Sequence, residues 1–248
     1  GTEVKGSKRW LNLFFLPRFQ PIEIVKPFII IFIATILCSE KNFNIYFKYL
    51  LTFIAIIPAC LLLMIQPDIG QTLLIFLAWA ILVFISGISL PVILTFFSFS
   101  LLSLVYMVFF IPKFAYIKNR ILSFFNPIDG THNFQPDKAI EAISSGGYFG
   151  KGIGEGTLKN KVPEAHTDYI ISVIAEEFGV VVIILLLILF LFFIYSVFQK
   201  IYLEKSEKIK LVLTGTMCLI IFQALIHIGV NIRLFPTTGM TLPFLSYG

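Results

Sequence analysis

Val180-Val181-Val182-Ile183-Ile184-Leu185-Leu186-Leu187-Ile188-Leu189-Phe190-Leu191-Phe192-Phe193-Ile194-Tyr195-Ser196-Val197-Phe198 contains no charged side chain. Wound as a helix at ~1.5 Å per residue, the run is about 28 Å long, close to the ~30 Å hydrocarbon core of a bilayer. A helix on a soluble core would carry a polar stripe along one side, and this run has none. The same pattern recurs outward along the chain, at about 22–39, 46–65, 70–88, 91–111, 169–199 and 211–232. The first of these reaches spanning length only by joining Ile22–Val25 to Pro27–Ser39, with Lys26 snorkelling or facing protein. Pro58 marks an expected kink in the second, and no strand is predicted anywhere. The fold class is therefore an all-α polytopic membrane protein with six transmembrane helices, one membrane domain over 1–248, and one large loop at 112–168. Composition agrees: 58% of the 248 residues are hydrophobic and 13% charged, with mean hydropathy +0.93. Soluble domains carry about 25% charged residues.

The net charge of +5 sits in short connectors between apolar runs. That distribution suits lipid headgroups or an anionic lipid substrate and argues against nucleic acid. Cys38, Cys60 and Cys218 all lie inside apolar runs without a CxxC pair, so they read as small buried hydrophobes. Basic residues fall on both sides of the alternating connectors, and the positive-inside count leaves the orientation open. The chain opens at Gly1-Thr2-Glu3 and stops at Ser246-Tyr247-Gly248 with its pattern still running, so a piece of a longer protein is expected.

Most of the chemically useful residues fall in the 112–168 stretch. Gly146-Gly147-Tyr148-Phe149-Gly150-Lys151-Gly152-Ile153-Gly154-Glu155-Gly156 fits neither GxGxxG nor GxxxxGK[ST]. Two readings stay open: a loop of tight left-handed turns, or backbone amides of Gly147, Gly150 and Gly152 cradling a pyrophosphate. In Val162-Pro163-Glu164-Ala165-His166-Thr167-Asp168-Tyr169, Asp168 stands where loop meets span, as an acid–base carboxylate or as a helix N-cap, a place Thr167 could fill instead. His166 and Asp168 alone are too few ligands for a metal site. Glu176 and Glu177 are costly at membrane depth unless they face protein, water or a cation, and at ~100° per residue only Glu176 could share a cavity with Asp168. Asp68 and Gln66 read as structural residues of an outer turn.

Taken in order, Gly6-x-x-Arg9-Trp10, Gln20-Pro21-x-Glu23-x-x-Lys26, Gln66-Pro67-Asp68-x-Gly70, Gly146-Gly147-x-x-Gly150-x-Gly152, Pro163-Glu164-x-His166-Thr167-Asp168, Glu176-Glu177-x-Gly179, Val230-Asn231 and Leu242-Pro243-Phe244-x-Ser246-Tyr247-Gly248 span the whole chain. Together they resemble the SEDS family (FtsW, RodA, SpoVE) of peptidoglycan polymerases. Pro163–Asp168 and Pro236–Phe244 look more like its cell-division branch, FtsW, than RodA. Ile22 departs from the serine usual in the Gln-Pro-Ser-Glu motif, and the chain stops before the usual Gly-Ser-Ser. The resemblance implies helices four to nine of ten, with 112–168 as the large extracytoplasmic loop.

It also implies a bacterial cytoplasmic membrane enzyme that polymerises lipid II into septal glycan strands, inverting the anomeric carbon and releasing undecaprenyl pyrophosphate. Asp168 matches the family's essential aspartate. The sites proposed for substrate are Arg9, Lys26, Arg120, Gly147, Gly150, Gly152, Glu164, His166 and Glu176. A divalent cation, Mg or Mn, is the one candidate cofactor, because pyrophosphate needs charge neutralisation. A class B penicillin-binding protein (a transpeptidase) and divisome proteins are the expected partners. The alternative functions are a lipid II flippase or transporter and a non-catalytic division scaffold. The piece alone is expected to be inactive, because it lacks pocket-walling helices.

Overall fold

The computed structural model describes residues 2–4, 7–10, 19–39, 43–125, 134–162 and 165–246. The chain packs as two compact units, Gly1–Lys118 with Val197–Leu219, and Asn119–Ser196 with Ile220–Gly248.

The first unit opens with a short antiparallel ribbon, β1 (Thr2–Val4) and β2 (Ser7–Trp10), pairing Thr2 with Trp10 and Val4 with Ser7. This corrects the strand-free expectation. Thr2 and Val4 are β-branched and Trp10 is aromatic, which favours extended backbone, and antiparallel pairing needs few residues. Four apolar helices follow: α1 (Pro21–Leu37), α2 (Ile45–Ile65), α3 (Ile69–Ile85) and α4 (Leu90–Phe110). Pro21 opens α1, where a missing N–H costs nothing. Asn44 caps α2 by accepting from Tyr46 N, and Asp68 caps α3 by accepting from Gln71 N at 3.3 Å. The helix of α2 continues through Pro58.

Packing in this unit centres on Trp79, which touches Phe53 and Phe96 and donates its indole N–H to Thr52 Oγ1 at 3.1 Å. Thr52 is itself fully buried. A buried donor with its acceptor in place avoids a desolvation penalty of ~1–3 kcal/mol. Gly215 lies where a Cβ would collide with Ile30 and Leu82, so the absence of a side chain lets the helix that carries it, Glu207–Asn231, lie against α1 and α3. By contrast, α4 buries only Val108 along its length, as expected of a helix whose surroundings are lipid.

The second unit contains α5 (Ala115–Phe125) from Asn119 onward, α6 (Phe134–Gly146), the single turn α7 (Leu158–Lys161), α8 (Ile170–Leu203) up to Ser196, and α9 (Glu207–Asn231) from Ile220. The stretch 112–168, read from the sequence as one large loop, is thus largely helical among its described residues. α5 and α6 alternate polar and apolar residues too closely to form a long apolar run.

The helices α2, α4, α8 and α9 are long and apolar enough to cross a membrane. The other two expected spans, α1 and α3, have 17 residues each, at the short limit of about 17 for a crossing. This is a multi-pass membrane protein.

Candidate functional site

Asp168 lies in a turn over Ala165–Tyr169 immediately before α8. The first turn of α8 closes on Tyr169, whose carbonyl accepts from Ser172 N at 3.0 Å and Val173 N at 3.1 Å. The cap position therefore falls on Tyr169, one residue beyond Asp168, which corrects the N-cap reading of Asp168 and Thr167. Asp168 is half-buried at the helix's N-terminal end, where the dipole favours a carboxylate.

The turn is clamped from two sides. Asn231, fully buried on α9, donates its amide to the Asp168 carbonyl at 3.1 Å and to His227 O at 2.9 Å. Its Oδ1 accepts from Ser172 Oγ at 2.7 Å and Ser172 N at 3.2 Å. Each hydrogen-bonding group of the Asn231 side chain is therefore used. From the other side, Ser246 Oγ donates to Thr167 O at 2.8 Å and accepts from Leu242 N at 2.8 Å. His227 Nδ1 meets Met240 O at 2.7 Å, and Gln223 donates to Thr241 O at 3.1 Å, so the segment after α9 is fixed as well. These contacts lock the backbone that carries Asp168. Asn231 and Ser246 appeared in the sequence only as pattern landmarks. A lone amide ending an apolar span was the available signal.

The glycine run is fixed to a break in α8. At Gly179 the backbone turns to φ 83, ψ 177, a region open essentially to glycine alone. There the ordinary helical bonds between Glu176 or Glu177 and the residues four further on are replaced. Glu176 O accepts from Lys151 N at 2.9 Å and Glu177 O from Gly152 N at 3.0 Å. In return Val180 N donates to Gly147 O at 3.0 Å and Val181 N to Tyr148 O at 3.3 Å. Gly147, Gly150 and Gly152 all have positive φ, and a Cβ on Gly150 would strike the Glu177 carbonyl. The amides of Gly150, Lys151 and Gly152 are thus taken up inside the protein (Gly150 N binds Gly146 O at 2.8 Å). The geometry favours the turn reading of these glycines over the pyrophosphate cradle.

Glu176 completes the splice. It is 1% exposed, and its carboxylate accepts from Lys151 Nζ at 2.9 Å, Thr157 Oγ1 at 3.0 Å and Leu158 N at 2.9 Å. Its oxygens serve the loop, where the sequence suggested a cavity shared with Asp168. Glu177 pairs with Lys159 at 3.1 Å.

The other expected site residues scatter. Arg120 donates to Thr237 O at 3.2 Å and lines a small cavity together with Arg233, whose guanidinium pairs with Asp137. His166 is exposed. In the first unit Lys26 is 4% exposed and pairs with Glu23 at 2.7 Å, while Glu23 also accepts from Gln71 at 2.8 Å. Glu164 lies outside the described residues, as does the side chain of Arg9. Among the described residues no three His, Cys, Asp or Glu side chains gather as cation ligands.

The family model of the cell cycle proteins FtsW, RodA and SpoVE matches residues 1–248. The chain belongs to this family. It is 36% identical over 257 residues to a probable peptidoglycan glycosyltransferase FtsW of Caulobacter vibrioides, covering all of this chain and 62% of the relative. A probable peptidoglycan glycosyltransferase FtsW of Buchnera aphidicola (subsp. Schizaphis graminum) is 35% identical over 259 residues, covering all of this chain and 71% of that protein. Among solved structures, a chain of a peptidoglycan synthase complex that coordinates polymerization and crosslinking superposes with TM-score 0.78 at 27% identity, covering 100% of this chain and 69% of that one. The rod shape determining protein RodA of Thermus thermophilus gives 0.65 at 25% identity, covering 100% and 65%. The chain spans somewhat over three-fifths of the length of the FtsW relatives of Caulobacter and Pseudomonas fluorescens, at 62% of each.

Proposed function

We propose that the protein containing this chain is a peptidoglycan glycosyltransferase of the bacterial cytoplasmic membrane, polymerising lipid II during septal wall synthesis. The observation that carries this reading is Asp168, half-buried at the head of α8 on a turn clamped by Asn231 and Ser246. A sugar hydroxyl is a poor nucleophile and needs a base placed within hydrogen-bond reach. A carboxylate on a rigid turn meets that need, because a misplacement of ~1 Å can cost ~100-fold. Asp168 takes the proton of the acceptor's 4-hydroxyl as its oxygen attacks the anomeric carbon of the other chain. The bond to undecaprenyl pyrophosphate breaks on the opposite face, with inversion.

Pyrophosphate leaves without a proton and needs only positive charge beside it. Arg120, in the same unit as Asp168, is the side chain we assign to that task, with the exposed His166 beside the sugar. The large loop lies on the extracytoplasmic side in this reading, and a class B penicillin-binding protein cross-links the product. Curated relatives named as FtsW glycosyltransferases support the activity, and likeness to a chain of a polymerising and crosslinking complex supports the partnership.

The test is purified full-length protein with its transpeptidase partner and labelled lipid II, scored both for polymer and for movement of lipid II across the bilayer. Polymer is the expected product. Transbilayer movement without polymer would replace this reading with a flippase, and neither would leave a scaffold.

A further inference from the structure

The glycine loop exposes three large apolar side chains with no role in the Asp168 turn. Tyr148 is 77% exposed, Phe149 84% and Ile153 80%. Such residues grouped on one loop tip are an unusual solvent face. Their height along α8 is fixed, because the backbone that carries them is bonded to Glu176, Glu177, Val180 and Val181. The first charges flanking the apolar run of α8 are Glu177 and Lys200. The intervening run, Val180–Phe198, is about 28 Å as a helix and fills a ~30 Å hydrocarbon core. Gly179 and the loop spliced to it therefore sit at the edge of that core.

We propose that Tyr148, Phe149 and Ile153 insert into the interfacial layer of the bilayer beside α8, anchoring the loop to the membrane. The α8 residues nearest the splice are exposed and apolar too: Phe178, Val181, Ile184 and Leu185. Tyrosine favours this depth because its ring is apolar and its hydroxyl reaches the headgroups. Lys151 and Lys159 next to the tip are paired with Glu176 and Glu177. Attachment therefore comes from apolar insertion and does not depend on anionic lipid. Positive φ at Gly147, Gly150 and Gly152 holds the tip in this projecting shape. The inference does not rest on the proposed activity.

The experiment places a tryptophan at the tip, Phe149→Trp in one protein and Tyr148→Trp in another. Each full-length variant is reconstituted in phosphatidylcholine vesicles, with and without phosphatidylglycerol, and the parent's own tryptophan emission is subtracted. Lipids brominated near the headgroup end of the acyl chain should remove most of the added emission in both membranes. Aqueous iodide should remove little. Efficient iodide quenching without bromolipid quenching would put the tip in water and overturn the proposal. Resistance to both quenchers would mean that protein covers the tip, which overturns it equally. Because the readout is position, a protein inactive on lipid II would still give a decisive answer.

Discussion

Replacing Glu176 should open the glycine loop while leaving the first unit intact. In Glu176→Ala three interactions vanish: the ion pair with Lys151, the Thr157 hydroxyl bond and the bond from Leu158 N. Lys151 is 34% exposed, so its ammonium regains water and contributes only ~0–1 kcal/mol. The Leu158 amide lies in a buried residue and is left without an acceptor, at ~1–3 kcal/mol. The Thr157 bond adds about 1 kcal/mol, so local opening should become easier by roughly 2–5 kcal/mol. Since ~1.4 kcal/mol is tenfold, amide exchange over 150–158 should accelerate by about 30- to 3,000-fold. Glu176→Gln keeps the shape and an acceptor, and its acceleration should be roughly tenfold. Hydrogen exchange read by mass spectrometry measures both, with α2 and α3 as internal controls. Unchanged exchange over 150–158 in Glu176→Ala would refute the view that this carboxylate holds the loop.

Further outcomes follow from the same contacts. Gly179→Ala puts a side chain against Tyr148 O at a backbone angle only glycine tolerates, so it should lower stability by at least about 2 kcal/mol and expose the loop to protease. Asn231→Ala strips partners from Ser172, His227 O and Asp168 O. A stability loss of roughly 2–4 kcal/mol and a fall in polymerisation beyond what the lost folded fraction explains are expected. In Lys26→Met the shape of the stem is kept and the charge is lost while Glu23 stays 39% exposed. The buried Asp68 also loses the charge that faces it, so stability should fall by roughly 3–5 kcal/mol, read by denaturation.

The spans were readable because lipid imposes a simple rule, that the backbone must satisfy itself over the thickness of the core. Expected runs at 46–65 and 91–111 became Ile45–Ile65 and Leu90–Phe110. The break at Gly179 was hidden because its cause is non-local: four backbone bonds to residues roughly thirty positions earlier. For the same reason the sequence left the glycines open between tight turns and a ligand cradle, and the amides of Gly150 and Gly152 bond to Gly146 and Glu177. α6 was missed because its 13 residues, Phe134–Gly146, are amphipathic and short beside a spanning run. Asp168 stood out as a loop-to-helix carboxylate, yet the clamp around it came from Asn231 and Ser246, about 60 to 80 residues away. Sequence spacing carries helical periodicity well and such distant contacts poorly.

The central claim is that Asp168 is the base of glycan polymerisation. Its most direct test is Asp168→Asn in the full-length protein, assayed with the proposed transpeptidase partner on labelled lipid II. The substitution keeps side-chain shape and leaves the Asn231 bond to the Asp168 carbonyl in place, so membrane insertion, melting temperature and exchange over 165–176 should match the parent. Glycan polymer should fall below detection. Polymer at a near-parental rate from a correctly folded Asp168→Asn protein would contradict the account and remove this carboxylate from the chemistry.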